Sequence, residues 1–182
     1  MLVEELLAAH CMLLPSMISL LLLKNNTNSL IATVGVLLHF PFSYALHMHK
    51  ALTNEPIIRT KLFKLDVIFI HVHAFLTGYS WFLLLSLTEL FYHLFCILNI
   101  IFSDPLKYPK HKKIIDILCV IGIIKSAFGL IYKSKLSWFC AHLFWTLGFY
   151  IYNNKTFGKY SSAVFHIILT IPQYCCMSEL FF

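Results

Sequence analysis

Residues 63–102 read FKLDVIFIHVHAFLTGYSWFLLLSLTELFYHLFCILNIIF. Across that stretch only Lys64, Asp66 and Glu89 carry a formal charge. One helix of this length would run about 60 Å, twice the hydrocarbon thickness of a bilayer. The stretch therefore reads as two membrane-crossing helices, 63–79 and 81–102. They are expected to meet at a tight turn over Thr77-Gly78-Tyr79-Ser80.

The rest of the chain follows the same pattern. Of 182 residues, 59% are hydrophobic and 12% charged, and the mean hydropathy is +0.79. Soluble domains run at roughly half apolar and a quarter charged. So little charge cannot cover a water-facing surface, and the surrounding solvent is expected to be lipid. The apolar runs fall at about 2–23, 29–50, 63–79, 81–102, 114–132, 135–152 and 158–177. The fold class is thus expected to be all-α, a polytopic bundle of about seven transmembrane helices in one domain, 1–182. Pro15 and Pro41 interrupt the first two runs. Such breaks are tolerated where neighbouring helices satisfy the backbone.

Loop charge sets an orientation. With the N-terminus cytoplasmic, the cytoplasmic loops hold Lys50, Arg59, Lys61, Lys64, Lys107, Lys110, Lys112, Lys113, Lys155 and Lys159. Lys24, Lys133 and Lys135 fall on the other side. The imbalance follows the positive-inside rule and puts the C-terminus opposite the N-terminus. The net charge of +6 is spread over short loops and gives no nucleic-acid face. The six cysteines form neither a CxxC pair nor a disulfide framework. The opening residues lack a signal peptide's positive region, so the first apolar run is expected to be retained. No Gly-rich phosphate loop or HExxH motif is present.

Ionisable groups inside a membrane are costly and point to function. Glu89 and Lys125 lie about 11–12 Å from the outer ends of consecutive helices and are expected to form a buried ion pair. A second set converges from farther apart. Ser43 and His47 are four residues apart on the second helix and share a face, as do Ser162 and His166 on the seventh. Asp66 opens the third helix. The topology brings all of them to the cytoplasmic side: His47 and Asp66 within about 5 Å of the boundary, His166 about 11–12 Å in. Imidazole with carboxylate or water suits zinc. Two histidines and an aspartate could hold a metal with one position open for water, and that water would be activated as hydroxide. The plainer alternative is a set of hydrogen-bonded contacts between helices, the common role of a lone membrane histidine. His10, His39 and His93 are read in that way.

These residues carry a family resemblance. Ser43-x3-His47, Asp66 early in the third helix and Ser162-Ala-Val-Phe165-His166 resemble the motifs of the superfamily that joins alkaline ceramidases, progestin and adipoQ receptors and hemolysin III proteins. The resemblance spans roughly 29–177. It implies a membrane hydrolase of a ceramide-like lipid amide. Zinc would sit on His47, His166 and position 162, with Asp66 holding the water and Ser43 stabilising the oxyanion. The departure is Ser162, which stands where the pattern has a zinc-binding histidine. A neutral hydroxyl is a poor zinc ligand. His71 or His73 is the nearest substitute, and His142 a more distant one. Without a substitute, the resemblance implies a non-catalytic receptor-like or lipid-binding protein of the same fold. A haem or proton-carrying protein is a third possibility, for which no pair of histidines at equal depth stands out. The partner in the first two cases is a membrane lipid.

Overall fold

The computed structural model describes residues 2–83, 86–105 and 107–180. Every regular element among them is helical. Four helical stretches are long and apolar enough to cross a membrane: Val3–Leu21, Thr27–Leu52, Pro56–Ser80 and Pro109–Lys133.

The first consists of α1 (Val3–Cys11) and α2 (Leu13–Leu21), joined at Met12. Pro15 causes the break. It has no N–H for the carbonyl of Cys11, and its ring crowds that carbonyl. The same rule ends α9 (Ser161–Ile168) four residues before Pro172, and α10 (Thr170–Glu179) resumes after Leu169. α3 (Thr27–Leu52) passes Pro41 unbroken. Its start is capped by Asn26, whose side chain accepts the Ser29 N–H at 2.7 Å.

α4 spans Pro56–Ser80 and α5 spans Leu87–Phe102. The expected division into two helices holds, but not its position. Thr77–Ser80 is helical, Gly78 included. That glycine lies against Ser126, where even a Cβ would make ordinary contact, 3.6 Å from the Ser126 Cα. α5 starts six residues later than expected, at a Ser86-x-x-Glu89 cap in which Ser86 accepts the Glu89 N–H. α4 also starts earlier than expected, because Pro56 fits the first helical position. Arg59, Lys61 and Lys64 are thus helical rather than loop residues.

α6 (Pro109–Ser126) and α7 (Phe128–Lys133) part at Ala127. The Trp81 indole donates to the Ser126 carbonyl at 2.8 Å. Leu130 N–H, which would have used that carbonyl, turns to Ala127 O at 3.0 Å. α8 (Lys135–Asn154) is capped by Ser134 and ends at Lys155 in the left-handed region, φ 52°. A short 3-10 turn, Gly158–Tyr160, leads into α9.

Hydrogen bonds between helix ends place them at two poles. Leu2 N–H reaches Ala51 O at 3.0 Å, and Lys64 Nζ reaches Ile101 O at 2.9 Å. At the opposite pole Asn28 reaches Ser80 O at 2.6 Å, Asn26 reaches Leu180 O at 3.2 Å, and Ser137 donates to Glu179 at 2.6 Å. Successive rods therefore run antiparallel.

Polarity is inverted relative to a water-soluble bundle. Ser19, Ser29, Thr33, Ser43, His71 and Ser80 are fully buried, whereas Leu21, Phe91, Phe102, Tyr132 and Leu136 stand out on the surface. Small residues allow close approach between helices. A Cβ on Gly35 of α3 would come within 3.2 Å of Leu76 and 3.3 Å of the His73 backbone on α4.

Candidate functional site

A cavity of about 590 Å³ lies between α2, α3, α4, α6, α8, α9 and α10. That is within the usual range for small-ligand sites. All five residues singled out from the sequence line it: Ser43, His47, Asp66, Ser162 and His166. Lys50, Lys113, Asp116 and Asn153 add charge and polarity at the pole shared by Leu2 and Ala51. Val36, Val67, Ile70, Ala74 and Trp145 give it apolar walls.

His47 and His166 are 119 residues apart, yet their Nε2 atoms lie 3.1 Å from each other. The rings meet edge to face, at 84°. The far nitrogen of His47, Nδ1, lies 2.7 Å from Glu5 Oε2 on α1. An ionised carboxylate only accepts, so Nδ1 carries a proton, and with His47 neutral its Nε2 offers a lone pair. His166 Nε2 must then donate, which leaves His166 Nδ1 as a bare acceptor. That atom is buried and has no hydrogen-bond partner.

Asp66 does not join this pair. Its Oδ1 accepts from His39 Nε2 at 2.9 Å, and His39 stacks on His73 with centroids 6.2 Å apart. Ser43 is buried one turn after His39 on α3 and also interacts with the Asp66 carboxylate. Two polar centres thus line the cavity, His47–His166, backed by Glu5, and His39–Asp66–Ser43.

A catalytic zinc needs three protein ligands and an open position. Among the described residues no group of three or more histidine, cysteine, aspartate or glutamate side chains is arranged to hold a metal. Ser162 lines the cavity one turn before His166 and offers only a hydroxyl. The donor set is two imidazoles, one ligand short. His71 does not substitute, because it faces His93 on α5. His73 lines the cavity and packs against His39. His142 bonds the Trp138 carbonyl at 2.8 Å, away from the site. In both histidine pairs the nitrogens touch, so no macrocycle fits between them.

Glu89 and Lys125 do pair, at 3.1 Å, but each is about a third exposed rather than buried, because α5 starts at Leu87 and leaves Glu89 in its first turn. The sequence did not point to Glu5, because an acidic residue in a helix's first turn is already explained by the helix dipole. No protein-family model, curated protein or solved structure matches this chain.

Proposed function

We propose that this chain is an integral membrane protein crossing the bilayer seven times, N-terminus cytoplasmic, whose internal cavity binds a lipid-like amphipathic ligand without hydrolysing it. Four rods have the length and hydropathy for crossing. The segments 87–102, 135–154 and 161–179 complete the count, α5 being the shortest at about 24 Å. The exposed leucines and phenylalanines belong against acyl chains, and buried serines such as Ser19, Ser80 and Ser126 bond to backbone carbonyls of their own helices.

One observation carries the ligand reading: a single cavity joins a charged, hydrogen-bonding end to apolar walls. That profile fits a headgroup bearing hydroxyl or amide groups, followed by a hydrocarbon chain. Hydrolysis is disfavoured by the donor set, since Ser162 leaves the imidazoles without a third ligand and Asp66 is engaged by His39.

A second reading, the zinc-dependent lipid amide hydrolase with Asp66 and Ser43 as its catalytic groups, is favoured by one feature. Glu5 holds His47 as a carboxylate holds a metal-binding histidine. Detergent-purified protein decides between the two through native mass spectrometry and metal analysis. The expected result is a co-purifying amphipath, lost in Ala74→Phe, and no stoichiometric zinc. Stoichiometric zinc in the wild type favours the hydrolase. Identical bound lipid in wild type and Ala74→Phe sinks the ligand reading. Ser162→His is expected to raise zinc occupancy.

A further inference from the structure

A second buried histidine pair lies outside the cavity, between α4, α5 and α6. His71 Nδ1 and His93 Nδ1 are 3.2 Å apart, and the residues are 1% and 3% exposed. α6 seals them: a Cβ on Gly122 would lie 3.3 Å from His93 Cε1 and 3.4 Å from His71 Nδ1. On its other nitrogen, Nε2, His71 faces the Cys119 thiol at 3.7 Å. On its other nitrogen, Nε2, His93 has no hydrogen-bond partner, and Glu89 Oε2 stands 3.8 Å away. Glu89 in turn meets Lys125 at 3.1 Å.

One array of protons lets the row conduct. In it His93 Nε2 bears the proton on the side of the Glu89 carboxylate, 3.8 Å away, and His93 Nδ1 a lone pair. His71 Nδ1 must then donate, and His71 Nε2 accepts from the Cys119 thiol. Every donor points the same way, from Cys119 to Glu89. The two ends of the row lead to different places. Cys119 lines the central cavity, whose charged end lies at the Leu2–Ala51 pole. Glu89 sits in the first turn of α5, a third exposed, at the opposite pole.

We propose that Cys119, His71, His93 and Glu89 form a proton conduit connecting the central cavity to the opposite face of the membrane. The Cys119 S–H proton passes to His71 Nε2, and a proton from the cavity replaces it on sulfur. The His71 Nδ1 proton passes to His93 Nδ1. The His93 Nε2 proton passes to Glu89 after a small side-chain rotation, and the carboxyl releases it to solvent. One proton enters and one leaves, so no group gains net charge. Each imidazole finishes with its proton on the opposite nitrogen. Ring rotation and exchange with cavity water and Glu89 restore the starting array. Nearby groups do not short-circuit the row. The Tyr92 hydroxyl is held by Leu118 O at 2.6 Å, and Lys125 lies over the Tyr92 ring at 4.4 Å.

The conduit rests on the bilayer-spanning part of the reading above and not on the cavity's ligand. The test is proton flux into vesicles of neutral phospholipid that hold the full chain and an entrapped pH dye, driven by a potassium diffusion potential. Wild-type protein is expected to carry protons above protein-free vesicles. His93→Phe and Glu89→Gln are each expected to lower the flux about tenfold or more, since each removes a positioned proton carrier. Glu89→Gln is isosteric at a partly exposed site and decides the matter if His93→Phe does not fold. Wild-type flux equal to the protein-free background, or Glu89→Gln flux equal to wild type, overturns the conduit. Either outcome leaves lipid retention and sidedness, which are measured separately, untouched.

Discussion

Glu5→Ala tests the geometry at the head of the cavity. The substitution removes the acceptor that holds His47 Nδ1–H at 2.7 Å. The His47 side chain is 7% exposed and that of Glu5 23%, so water replaces the lost partner poorly. A hydrogen bond to a charged group contributes about 1.5–3 kcal/mol net. Because Glu5 is partly solvated, about 2 kcal/mol is expected. In a chain of this size that lowers the unfolding midpoint by roughly 4–8 °C. Thermal unfolding in detergent, followed by circular dichroism, measures it. Glu5→Gln retains a neutral acceptor and should lose about half as much. The sharper readout is the double-mutant cycle with His47→Ala. Once the imidazole is gone, Glu5→Ala should cost almost nothing further, giving a coupling of about 1.5–2 kcal/mol. Additive losses, or an unchanged midpoint in Glu5→Ala, would refute the Glu5–His47–His166 arrangement.

Three further outcomes are expected. Gly129→Ala puts a methyl group into the Trp81 indole, and overpacking of this kind should destabilise by about 1–3 kcal/mol in the same melt. Trp81→Phe removes the indole N–H with its 2.8 Å bond to Ser126 O and also the pyrrole ring from a buried site, and should cost about 1 kcal/mol for the bond plus the lost packing in the same melt. Single cysteines introduced at Lys110 and Lys133 into a cysteine-free chain should react with a membrane-impermeant thiol reagent from opposite sides; labelling of both from one side contradicts the seven-crossing topology.

The all-helical character and the apolar, membrane-length helices were legible because composition and run length alone decide them. The convergence of Ser43, His47, Asp66, Ser162 and His166 was legible for a related reason. Spacing by four fixes a helix face, and alternating direction fixes a height, so residues far apart in sequence could be brought to one level. Rotation of each helix about its own axis was not legible, and rotation chooses partners. Asp66 could have met His47, but the turn of α4 offers it to His39. His71 could have entered the cavity, but the same turn points it at His93. Gly78 misled for a different reason. Glycine permits a tight turn but does not require one, and here α4 runs through it to Ser80.

Met12 and Leu169 adopt nearly the same backbone angles, φ −65°, ψ −17° and φ −63°, ψ −14°. Each lies just upstream of a proline, and each contributes to the cavity wall. Two staves around the cavity are therefore jointed at corresponding points. A change confined to either residue's torsions would turn the helix beyond it as one piece, and the Gln173–Ser19 hydrogen bond at 2.9 Å couples the two half-staves to each other.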